Sequence, residues 1–84
     1  MLDFEKEFLP LLAKLSLKGI HFTVSECHDG YRVNFDDGSD VAINSGTYGS
    51  SSGLLEGYMG VFKSEYDTVT GYLTADDVIK MLGF

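Results

Sequence analysis

Cys27, His28 and His21 are the residues with the widest chemical repertoire here, set among thirteen acids and six bases. A thiol beside an imidazole suggests a nucleophile and its base. However, Ile20, Phe22 and Val24 alternate with His21, Thr23 and Ser25, which is the period of a strand. Neighbours on a strand point to opposite faces, so Cys27 and His28 cannot pair while it is regular. His21 shares a face with Cys27 but lies about 20 Å along the strand. A reactive thiolate also needs an electropositive setting, whereas the formal net charge is −7. No Gly-x-Ser-x-Gly elbow leads from a strand into a helix. These residues support no catalytic assignment, and the chain is expected not to be an enzyme.

Metal chemistry fares no better. Aligning Gly71 with the obligatory glycine of an EF-hand loop puts Leu73 at its eighth position and Asp77 at its twelfth. Tyr66, Thr68 and Thr70 then occupy the first, third and fifth positions, where calcium needs carboxylates or amides. The segment reads instead as a turn, a short extended piece and a capped helix. A single cysteine excludes an intrachain disulfide, and no Cys/His cluster has zinc spacing. The stretch Gly46–Gly53 sits between a strand and an apolar stripe, as a phosphate cradle does, but it lacks the Gly-Lys-Ser/Thr ending. No metal and no cofactor are expected. Tyr48 in that stretch is either a lid over the core or a contact residue.

What remains is surface charge. The six bases are scattered singly, without a basic stripe or an aromatic platform, so direct nucleic-acid binding is not expected. The acids fall in groups: Asp36, Asp37 and Asp40 around one turn, then Glu65 and Asp67, then Asp76 and Asp77. Turn geometry alone accounts for aspartates in the first group. The summed field disfavours an anionic membrane and favours a protein with a basic surface.

Positioning these groups falls to the following elements. Phe4, Phe8, Leu11, Leu12 and Leu15 form one helical stripe, which predicts a helix over Leu2–Lys18 with Asp3 as N-cap and Gly19 as stop. Pro10 removes the bond to the Lys6 carbonyl and predicts a kink or a restart. A second apolar line, Leu2, Leu9, Ala13 and Leu17, runs roughly opposite Phe4. It is either sandwiched between a sheet and another helix, the expectation favoured for so small a domain, or exposed for a partner. Period-two alternation continues through Tyr31, Val33 and Phe35 and then Val41 and Ile43, with turns at Asp29-Gly30 and Asp36–Ser39. Ser45–Gly53 looks like a flexible joint. Leu54, Leu55, Tyr58, Met59 and Phe62 suggest a short helix weakened by Gly57 and Gly60. Thr74 and Asp77 cap a last helix whose buried face is Val78, Met81 and Leu82. The expected fold is therefore a single α+β domain over residues 1–84: an N-terminal helix packed on a three-stranded antiparallel β-meander, followed by two short C-terminal helices.

With 44% hydrophobic residues, five tyrosines and six phenylalanines, a packed core can form. The longest mostly apolar stretch, Phe8–Leu17, is too short to span a bilayer. An acidic N-terminal segment is unlike the basic leader of a signal peptide. A cytoplasmic location with Cys27 reduced is expected.

Three pieces, Ser45-Gly46-Thr47-Tyr48-Gly49, Gly53-Leu54-Leu55-Glu56 and Val69-Thr70-Gly71-Tyr72-Leu73-Thr74 followed by Asp77-Val78, carry a resemblance. Together they resemble small prophage or phage open reading frames of Gram-positive bacteria, over the C-terminal half only. The resemblance implies a mobile-element origin and no activity. With the charge, it leads to an expected phage-type accessory protein. Its acids Asp36, Asp37, Asp40, Glu65, Asp67, Asp76 and Asp77 would cover a basic host protein as a nucleic-acid mimic. The alternative is an assembly protein that forms a homodimer through Leu2, Leu9, Ala13 and Leu17.

Overall fold

The computed structural model describes residues 2–84. Two helices, α1 (Phe8–Leu17) and α2 (Ala75–Met81), pack on one antiparallel sheet of five strands. The strands are β1 (Thr23–Cys27), β2 (Gly30–Asn34), β3 (Asp40–Ile43), β4 (Leu55–Tyr58) and β5 (Val69–Leu73), in the order β1-β2-β3-β4-β5. Val33, Val41, Ile43, Leu55 and Leu73 form the inner face of the sheet, closed over by Phe8, Leu11 and Leu15 of α1 and by Ala75, Val78 and Ile79 of α2.

This corrects the expected three-stranded meander with two C-terminal helices. Leu54–Phe62 is not a helix: it is strand β4 followed by a single 3₁₀ turn, Gly60–Phe62. Leu55 and Gly57 point inward while Glu56 and Tyr58 point out, so period two is present but hidden by the glycine. A side chain at 57 would overlap the Phe62 ring, which fills that space itself. The extended piece Val69–Leu73 is a full sheet member, disguised because a register shift falls opposite Leu55–Gly57 and Tyr72 takes a positive φ of 59°.

The first helix is shorter than its stripe. Residues 4–7 form a turn held by Asp3, whose Oδ1 accepts from the N–H groups of Glu5 and Lys6 at 3.1 and 3.2 Å. Asp3 therefore caps the turn, and Glu7 stands at the N-cap of α1. Pro10 is the third residue of the helix, where its missing N–H has no intrahelical partner to lose. The restart occurs before the proline. The Glu7 carboxylate reaches across to accept the N–H of Ala75 at 2.8 Å, placing a negative charge at the start of α2.

At the first hairpin the two central residues are His28 and Asp29, with His28 at φ 57°, while Gly30 already pairs with Cys27. Asp29 Oδ1 accepts the N–H of Ser45, tying this turn to the β3–β4 connection and holding the Asp29 carboxyl below its ordinary range. Bonds from Gly46 to Asn44, from Asn44 to Thr47 and from Tyr72 to the Tyr48 carbonyl pin the loop expected to be a flexible joint.

Candidate functional site

Strand direction distributes the acids. In an up-and-down meander the β2–β3 and β4–β5 connections share one end of the sheet, whereas β5 delivers the chain to α2 at the other. Asp36, Asp37, Glu65 and Asp67 therefore gather at one end. Gly60 of the β4–β5 connection lies close enough to the β2–β3 turn that a Cβ there would stand 3.0 Å from Asp37 Oδ2. Asp76 and Asp77 lie at the opposite end and are already engaged. Asp76 pairs with Lys14 at 3.1 Å, and Asp77 exchanges hydrogen bonds with Thr74 in a full capping box. The seven acids expected to form one surface are thus divided.

Within the first group the roles differ. Asp36 meets His21 Nδ1 at 2.7 Å with both side chains exposed. Asp37 accepts the N–H and the hydroxyl of the buried Ser39, and these bonds hold its carboxyl below the ordinary range. Glu65 is exposed, and Asp67 Oδ1 accepts the Val69 N–H at 3.3 Å.

Asp40 belongs to another surface. The outer face of the sheet carries Ser25, Arg32, Ala42 and Glu56 in one row and Thr23, Asn34, Asp40 and Tyr58 in the next. Neither helix covers it. With the Asn44–Thr47 loop it bounds a polar cleft of about 770 Å³. Burial pushes the Asp40 carboxyl above its ordinary range; Arg32 opposes this and Glu56 adds to it. Arg32 Nε is buried without a hydrogen bond, 3.7 Å from Asp40 Oδ1. Cys27 Sγ accepts from Arg32 Nη2 at 3.2 Å and Asn44 Nδ2 at 3.5 Å. His28 is in the turn and His21 pairs with Asp36, so the partners of the thiol are Arg32 and Asn44 and neither histidine. Among the described residues no group of three or more His, Cys, Asp or Glu side chains is placed to hold a metal ion. Tyr48 borders this region: its N–H donates to Glu56 Oε2 at 2.8 Å, its backbone passes beside Gly71, and its side chain remains exposed. It is not a lid over the core.

The third surface is apolar. Leu2, Phe4, Phe8, Leu9 and Leu12 face Val24 and Tyr31 across a groove of about 820 Å³, with Asp3 and Glu5 also in its lining. Phe4 and Phe8 both pack on the Tyr31 ring, with centroids 5.3 and 5.6 Å away. The expected sandwich of α1 does not form, because Leu9, Ala13 and Leu17 are exposed, Leu17 by 87%. Leu2 is not part of that line: it precedes the turn, half-buried against the core. Val24 and Tyr31 escaped sequence reasoning as surface residues because their alternation marks an inner face; the edge position of β1 leaves Val24 open, and Tyr31 on β2 is covered only in part, by Phe4 and Phe8.

Comparison with known protein families, curated proteins and solved structures finds no match. Among the described residues no helix is long and apolar enough to cross a membrane.

Proposed function

We propose that this chain is a non-enzymatic, cytoplasmic accessory protein of phage type that works by occupying a basic surface on a host nucleic-acid-handling or defence protein. The observation that supports this reading is the convergence of Asp36, Asp37, Glu65 and Asp67 at one end of the sheet. Carboxylates spaced along two adjacent connections offer a basic groove what phosphates would offer it. The test is capture from a Gram-positive host lysate by wild type and by the D36N/E65Q/D67N variant, at low and high salt. A basic protein retained by wild type at low salt, released at high salt and lost by the variant supports the reading. Equal capture by the two proteins, or capture indifferent to salt, overturns it. D76N, altered at the opposite end, serves as the control and keeps the partner.

A second reading, self-association through the outer side of α1, is favoured by the exposure of Leu9, Ala13 and Leu17. It predicts a dimer by sedimentation that Leu9→Glu dissociates. A monomer at high concentration ends it.

A further inference from the structure

The free edge of β1 and the groove beside it form one continuous surface. β1 is the first strand in the sheet order and pairs with β2. Cys27 and Gly30 close a two-residue turn, so the hydrogen-bonded pairs are Cys27–Gly30, Ser25–Arg32 and Thr23–Asn34. By that alternation the backbone N–H and C=O of Val24 and Glu26 point away from the sheet. No turn, loop or cap bond takes them up among the described residues. Edge strands are usually defended by a proline, a charged side chain or a covering segment; β1 has no proline or lysine, is exposed along Thr23–Glu26 and carries Glu26 as its one charge, which repels an acidic strand and admits a basic one. The side chains of Val24 and Glu26 stand on the inner face, opposite Val33 and Tyr31. There the edge opens onto the apolar groove, with Asp3 and Glu5 in its lining and no lysine or arginine.

We propose that an extended segment of a basic partner protein adds to β1 as a sixth strand. Its backbone takes the free groups of Val24 and Glu26, and every second side chain, apolar, enters the groove against Leu9, Leu12 and Val24. A lysine or arginine two residues before or after those side chains lies on the same face and meets Asp3, Glu5 and Glu26. This rests on the reading that the partner is a basic protein, and it names the part of that partner that binds. A second copy of this chain fits less well. Antiparallel pairing about Ser25 sets Glu26 of each copy beside Val24 of the other, and it brings together two chains of net charge −7 with no base in the groove.

The test is a titration of ¹⁵N-labelled protein with acetylated, amidated Lys-Thr-Val-Thr-Val-Thr-Lys, whose lysines and valines share one face, and, separately, with Glu-Thr-Val-Thr-Val-Thr-Glu. The basic peptide gives saturable shifts at Leu9, Val24, Glu26 and Tyr31 and slows amide exchange at Val24 and Glu26. The acidic peptide, and the basic one against Leu9→Gln, bind at least about tenfold more weakly. Leu9→Gln removes the apolar contact without changing the charge of the groove, keeps a good helix former at an exposed position, and its dispersed spectrum verifies the fold. Any of four results overturns the proposal: no saturable shift, shifts confined to Asp36, Glu65 and Asp67, an unchanged response in Leu9→Gln, or a free protein that is already a dimer with Val24 and Glu26 protected. D36N/E65Q/D67N keeps the peptide response within about threefold. Failure at the acidic end and failure at the groove are therefore separate outcomes.

Discussion

Gly30 has no room for a side chain: a Cβ there would overlap the carbonyl oxygen of Ile43, which is backbone and cannot swing aside. Gly30→Ala should therefore cost at least about 3 kcal/mol, in the tail of single-substitution effects, measured by urea unfolding. At Asp77 the bond donated by the Thr74 N–H to Oδ2, with the Thr74 side chain adding to it, holds the carboxyl below its ordinary value near 3.8. A carboxyl whose folded pKa is depressed contributes stability above its unfolded value, and this is lost as pH falls through the folded value. Asp77→Asn should cost about 0.3–1 kcal/mol at pH 7, and the loss should shrink on acidification below pH 3.8, as followed by thermal melts. Asp40 has the opposite sign. Its folded pKa is raised, so the ionised form opposes folding once pH exceeds the unfolded value. Asp40→Asn should melt roughly 1–3 °C above wild type at pH 7, and the gap should close below pH 3.8, where both states are protonated. A wild type that melts higher at pH 7 would show that the Arg32 attraction outweighs burial.

At the scale of elements, legibility followed the strength of the local signal. The alternation Tyr31-Arg32-Val33 and Val41-Ala42-Ile43 sits between turn residues, and β2 and β3 lie where it put them. Thr74 and Asp77 mark the start of α2 by hydrogen-bond chemistry that depends on four neighbouring residues alone. β4 and β5 were not legible because their inward positions include Gly57 and a bulge, so hydrophobicity could not report the period. The meaning of Gly57 depends on Phe62, which lies over it and is fully buried with its carbonyl bonded by Thr70. Phe62→Ala should cost about 3–5 kcal/mol, the range for emptying a large aromatic site. Hydrogen exchange on that variant should show β4 and β5 opening before β2 and β3. Uniform loss across all five strands would mean that Phe62 holds the whole core rather than that side of it.

At the scale of the molecule, both helices lie on one face of the sheet, and this decides what is exposed: a polar outer face, an open edge at β1, and connections at the two ends. The charge of −7 was visible from composition, but its division between the ends was not, because it depends on strand order. The groove likewise joins Leu9 to Val24 only through the packing of α1 beside the first strand. On the proposed function, the acids at the β2–β3 end carry binding to a basic protein. The most direct measurement is the salt dependence of affinity for the captured partner, for wild type and for D36N/E65Q/D67N. Wild-type affinity should fall steeply as salt rises, and the variant should form a weaker complex with a clearly shallower salt dependence. Equal affinities and equal salt dependence for the two proteins would contradict it.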